Sequence, residues 1–159
     1  SLTLAYQGLC ANDKTFQATL DKEFDPKLGP VAVVTQDLGR VLLNLCTNAL
    51  YAVRQRQQEA LAHATTDCPT ADYEPTVTVS THRLTSQAVE IRVRDNGIGM
   101  SETVKGKIFQ PFFTTKPPGE GTGLGLSLSY DIVTKGHGGT LTVESHEGQG
   151  TEFLITLPV

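Results

Sequence analysis

The chain has 159 residues, 38% of them hydrophobic and 15 of them glycine, which is the composition of one ordinary globular domain. Thirteen Lys and Arg against 17 Asp and Glu leave a net charge of −4, which argues against the basic field of a nucleic-acid or anionic-membrane binder. No run approaches the ~18 apolar residues of a membrane span, and no secretory leader pattern opens the chain. Cys10, Cys46 and Cys68 form no C-x-x-C, which suits a reducing, cytoplasmic-type compartment and no structural zinc. With Ser1 rather than Met first, the chain reads as a fragment of a longer protein.

In chain order, Thr15 to Phe24 alternates apolar and polar residues and predicts a half-buried strand. Asp25 to Pro30 reads as a turn, and Val31 to Val34 as a second, short strand. Leu38, Val41, Leu42, Leu45, Ala49, Ala52 and Val53 then recur at helical spacing. They predict a long helix from about Gln36 to about Ala60, with Thr35 as N-cap. His63 to Pro75 is a polar loop. Thr76–Leu84 and Ala88–Arg94 alternate again, joined by a hairpin turn at Thr85 to Gln87. Asp95 to Gly125 has little periodicity and two glycine clusters, the mark of a functional or disordered segment. Leu124 to Lys135 predicts a second helix closed by Gly136, and Thr140–Ser145 and Thr151–Pro158 a final hairpin turning at His146 to Gly150. This order predicts an α+β two-layer sandwich, a mixed, mostly antiparallel sheet covered on one face by helices.

Three segments carry candidate chemistry. Asn44 and Asn48 are four apart, on one helical face beside the apolar stripe. Carboxamide oxygens suit Mg²⁺, although two asparagines on a helix, taken alone, are more often simply a solvated face. Asp95-Asn96-Gly97-Ile98-Gly99 follows a strand, where a carboxylate could accept from an exocyclic amine while the glycines admit a ligand. Ordinary turns use the same residues. Gly119 to Leu126 holds four glycines at the start of a helix and has the logic of a phosphate cradle. It matches neither the P-loop nor the Rossmann turn, and a flexible loop is the alternative that four glycines in seven residues make less favoured. Phe109, Phe112 and Phe113 lie between the clusters and would serve as a hinge, a lid base or a partner surface.

In this order the segments resemble the catalytic, ATP-binding domain of two-component sensor histidine kinases, within the Bergerat-fold (GHKL) ATPases. Asn44-Leu45-Cys46-Thr47-Asn48-Ala49 is similar to the N box, Asp95 to Gly99 to the first glycine box, and Phe109 to Phe113 to the F box. Gly121 to Leu126 resembles the second glycine box, and Gly150-Thr151-Glu152-Phe153 the closing G-T-x-F. The resemblance runs from about Thr15 to Pro158, and it implies ATP and Mg²⁺ as ligands. By it, Asp95 binds adenine N6, with Gly97, Ile98, Gly99, Phe112 and Thr151 around the nucleotide. Asn44 and Asn48 hold Mg²⁺ and the phosphates. Residues 100 to 122 form a lid, and Lys116 with Gly121, Thr122, Gly123, Leu124, Gly125 and Leu126 lies near the phosphates, Asn44 and Lys116 being the catalytic candidates. Many members carry a basic residue three places after the second Asn, where this chain has Tyr51.

The resemblance further implies residues 15–159 as the catalytic domain and 1–14 as the tail of a dimerisation and phosphoacceptor hairpin. The implied partners are ATP, that acceptor-histidine domain and a downstream response-regulator receiver domain, with no nucleic acid and no membrane contact by this stretch. His63, His82, His137 and His146 fit an acceptor histidine badly, so the acceptor is expected elsewhere in the parent, which could itself be membrane-anchored. The competing reading is a stand-alone GHKL serine kinase or ATPase. Hydrolysing relatives place a Glu where this chain has Asn44, and an amide cannot serve as that base. A degenerate module that has lost nucleotide is disfavoured by the intact Asp95, asparagines and glycines.

Overall fold

The computed structural model describes residues 18–28, 35–62, 73–116 and 123–158. Five strands form one sheet in the order β1-β2-β3-β5-β4. They are β1 (Thr19–Phe24), β2 (Thr76–Thr85), β3 (Ala88–Asp95), β4 (Thr140–His146) and β5 (Gly150–Pro158). The β2–β3, β3–β5 and β4–β5 pairs are antiparallel, while β1 lies parallel to β2 at the edge. The expected strand at residues 31–34 and the start of the expected strand at residues 15–17 lie outside the described residues.

Helix α1 (Thr35–Ala62) spans 28 residues, and its apolar stripe of Val41, Leu45, Ala49, Leu50 and Val53 is fully buried against the sheet. Cys46 joins that stripe, where burial pushes its thiol up to about 11 and leaves it a packing group. A one-turn helix α2 (Glu102–Lys105) sits inside the segment that showed no periodicity, with Ser101 Oγ accepting from the Val104 N–H as its cap. Helix α3 (Gly125–Asp131) packs against α1 and ends in a π-turn (Ile132–Gly136). The sequence pattern predicted one α-helix through Lys135. The wider last turn keeps Val133 buried, and His137 Nδ1 lies 2.9 Å from the Ile132 carbonyl oxygen, closing the end.

The sheet face under the helices has a simple order. Val89, Ile91 and Val93 of β3 and Leu157, Ile155 and Phe153 of β5 point into the core, as do Val77 and Val79 of β2 and Leu141 of β4. At one end of the layer the same inward rows continue with polar residues: Asp95 after Val93, Thr151 before Phe153, and Ser145 after Val143. All three are buried. The layer between α1 and the sheet is thus apolar for most of its length and polar at one edge.

Candidate functional site

At that polar edge a cavity of ≈ 460 Å³ opens between α1, the end of β3, the segment 98–116 and the start of α3. Asp95 lies opposite Thr151 in the β3–β5 register. Its Oδ1 accepts a 2.8 Å hydrogen bond from the Gly97 N–H. Burial pushes its carboxyl up to about 7, against the opposing pull of the Gly97 and Thr151 backbone N–H groups. Ser145 Oγ lies 2.9 Å from Thr151 Oγ1 and accepts from the Met100 N–H at 2.8 Å. It thereby joins the floor of the cavity to the chain leaving it. Sequence reasoning missed Ser145. The available signal was a polar residue on the inward phase of β4 at the end where Asp95 and Thr151 also break their apolar rows.

The first glycine cluster is needed where backbones meet. A Cβ on Gly97 would lie 2.5 Å from the Ala52 backbone carbon of α1, and Gly99 has φ +69 with a Cβ position 2.0 Å from the His146 carbonyl oxygen. The Ile98 N–H donates to the Ala52 carbonyl, and the Ile98 carbonyl accepts from the Gly148 N–H. Behind this turn Arg56 donates to the Asn96 carbonyl at 2.8 Å and stacks over Tyr73, whose hydroxyl donates to the same carbonyl at 3.0 Å. Asn96 Oδ1 accepts from the Thr76 N–H, and its Nδ2 donates to the Glu74 carbonyl. Asp95 therefore sits on a turn that is pinned from three sides.

The same cavity is also lined by Asn44, Asn48 and Tyr51 of α1, by Lys116, and by Gly123, Gly125 and Leu126. Asn44 Nδ2 donates to the Gly125 carbonyl and to Ser129 Oγ, both at 3.2 Å. This spends its amide nitrogen on α3, with the fully buried Ser129 as the second residue that sequence reasoning missed. Lys116 Nζ donates to Asn48 Oδ1 at 3.2 Å and lies 4.7 Å from the centre of the Tyr51 ring. Ile98, Ile108, Phe113 and Phe153 give the cavity its apolar wall. Of the other residues singled out, Gly97 packs on α1, while Phe112 (75% exposed) and Leu124 (39% exposed) face solvent and do not line the cavity. Gly121 and Thr122 lie outside the described residues.

A carboxylate together with carboxamides and an ammonium in one lining suits a ligand with an amine-bearing ring and an anionic tail. Residues 33–159 match the model of the histidine kinase-, DNA gyrase B- and HSP90-like ATPases. The chain belongs to this family. Within the ATPase family it is 34% identical over 145 residues to the signal transduction histidine-protein kinase AtoS of Escherichia coli, covering 90% of this chain and 20% of AtoS. It is 42% identical over 130 residues to the sensor kinase CckA of Brucella abortus, covering 79% of this chain and 13% of CckA. The chain thus spans about a fifth or less of these relatives' length. Its fold matches the nucleotide-free catalytic domain of the histidine kinase ThkA with a TM-score of 0.71 at 25% identity, over 99% of this chain and 90% of that one. This family membership agrees with an ATP-binding catalytic domain on the α+β sandwich that the sequence pattern implied. No helix among the described residues is long and apolar enough to cross a membrane.

Proposed function

We propose that the cavity binds Mg·ATP and that the chain donates the γ-phosphoryl group to a histidine on a separate dimerisation and phosphoacceptor domain, upstream of a response-regulator receiver. The observation that supports this reading is the make-up of the cavity lining: Asp95, its sole carboxylate among the described lining residues, shares it with Asn44, Asn48 and Lys116. The adenine 6-amino group donates to Asp95, with Thr151 and Ser145 holding the neighbouring edge, and the apolar wall packs on the ring. The triphosphate runs towards Lys116 and the α3 start, where helix N–H groups favour anions.

The donor set fits Mg²⁺ shared with phosphates. No cluster of three or more His, Cys, Asp or Glu able to hold a metal occurs among the described residues. Mg²⁺ commonly takes few protein ligands and completes its shell from water and phosphate. Asn44 and Asn48 would hold it, Asn44 through the oxygen left by its committed nitrogen, and Asn48 through the Oδ1 that here accepts from Lys116 and would exchange the ammonium for the metal. Bound there, it would offset negative charge on the phosphates.

Partner docking is supported by exposed apolar residues in the two segments that also line the cavity. Phe112, Leu124, Leu128 and Tyr130 are all exposed, Phe112 at 75% and in the left-handed region at φ +65, and Phe109 stacks on Tyr130 at 5.1 Å. A hydrophobic helical hairpin is the occupant that this surface suits. The ATPase alternative needs a general base on water, and the Asn44 amide, held by Gly125 and Ser129, offers none. Calorimetry of wild type and Asp95→Asn with Mg·ATP and Mg·GTP tests the nucleotide assignment. Wild type should prefer ATP, and Asp95→Asn should cost about 1.5–3 kcal/mol for ATP. Equal affinities in all four combinations would overturn it.

A further inference from the structure

Asp95 lines the cavity, but two of the residues that hold its turn do not. Arg56 and Tyr73 are absent from the described lining, and both grip the peptide that follows Asp95. Arg56 Nη1 donates to the Asn96 carbonyl at 2.8 Å, and the Tyr73 hydroxyl donates to the same oxygen at 3.0 Å. Two donors use both lone pairs of that oxygen and leave the carbonyl one direction. The two side chains also hold each other, the guanidinium lying 4.5 Å from the centre of the Tyr73 ring. Burial pushes the Tyr73 phenol up to about 12, so it stays a donor.

The Asn96 carbonyl and the Gly97 N–H are opposite ends of one planar peptide unit. An oxygen anchored on Arg56 therefore turns the N–H the other way, where it donates to Asp95 Oδ1 at 2.8 Å. A cation on the oxygen also polarises the amide and strengthens the donor at its other end. Helix α1 supplies both the cation and the wall, because Arg56 and Ala52, against which Gly97 packs, are four residues apart on one face. We infer that Arg56 and Tyr73 are positioning residues for base recognition: by holding the Asn96 carbonyl they aim the Gly97 N–H at Asp95 and so set the carboxyl group that meets the adenine amine. Without the guanidinium the peptide tilts, and the carboxyl group loses its fixed plane. The role rests on the Mg·ATP reading above and places part of adenine recognition outside the cavity.

The test is calorimetric affinity for adenosine and for Mg·ATP, measured on this chain with Arg56→Met, Tyr73→Phe, Asp95→Ala and the Arg56→Met/Asp95→Ala double variant, each checked for cooperative melting. Arg56→Met should weaken adenosine roughly three- to tenfold, and Tyr73→Phe, which keeps the ring, roughly two- to threefold. Each should weaken Mg·ATP by the same factor as adenosine, because the loss sits at the base and the triphosphate contributes as before. Arg56→Met should add nothing in the Asp95→Ala background, where no carboxyl group is left to position. Should Arg56→Met fail to melt cooperatively, Tyr73→Phe gives the same comparison. The inference is overturned if either single variant binds adenosine like wild type, or if Mg·ATP weakens several-fold more than adenosine, the mark of a loosened cavity. An Arg56→Met loss that persists undiminished without Asp95 overturns it too. Wild type binding neither ligand, or Asp95→Ala binding both like wild type, would instead sink the nucleotide reading itself, which separates the two failures.

Discussion

Asp95 ends the inward row Val89, Ile91, Val93 and is buried where its neighbours are apolar. A carboxyl raised from 3.8 to about 7 favours its protonated form in the folded, empty state. Between those two values the folded chain holds a proton that the unfolded chain has released, so its stability falls as pH rises through that window and levels off above pH 7. On the proposed reading the adenine amine donates to the carboxylate, so binding must expel that proton below pH 7. Adenosine, which carries no titrating phosphate, should therefore bind about tenfold more weakly at pH 6 than on the plateau above pH 8. Calorimetry across that range checks this, and an affinity independent of pH would show that Asp95 does not meet the base as a carboxylate. The place of Asp95 at the strand end could be read from the sequence because a D-x-G-x-G after an apolar strand is local. Ser129, Ser145, Arg56 and Tyr73 could not, since each acts on a residue at least four positions away, through a contact set by packing.

At the scale of elements, periodicity succeeded where one face is buried and failed where the backbone is held by loops. The long helix, predicted from Gln36 to Ala60, runs from Thr35 to Ala62, because its stripe is deep in the core. The two hairpins closed near the predicted turns. The parallel placement of β1 against β2 left no local trace, because register with a distant strand is set by the whole sheet. The last turn of α3 widened for a similar reason, to keep Val133 in the core and bring His137 to the Ile132 carbonyl. Segment 100–116 has only Ile108 fully in the core, and its one short helix contains no buried residue. Such a segment has low local stability until a ligand adds contacts. Hydrogen exchange over residues 100–116 should slow on adding a non-hydrolysable ATP analogue with Mg²⁺. Protection confined to the strands would rule out this segment as part of the nucleotide site.

For the whole molecule, the layered plan explains why the site lies where it does. The core rows of three strands turn polar at the same edge, and the carboxamides of α1 and the start of α3 line the same cavity as Asp95 and Thr151. The chain therefore holds a nucleotide site but, among its described residues, no histidine set up as an acceptor. His137 is occupied with a helix end, His82 lies within β2 and His146 ends β4. Phosphoryl transfer is mostly positioning, and holding a nucleophile in line can supply ~7–11 kcal/mol of the barrier. Without that nucleophile, turnover should stay near background. The most direct test is ³²P transfer from [γ-³²P]ATP with this chain alone, and with the parent protein's acceptor-histidine hairpin added in trans. The expected result is no label on the chain alone and alkali-stable, acid-labile label on the hairpin, abolished by Asn48→Ala. Robust phosphohistidine on the isolated 159-residue chain, or an Asn48→Ala variant that labels the hairpin as well as wild type, would contradict it.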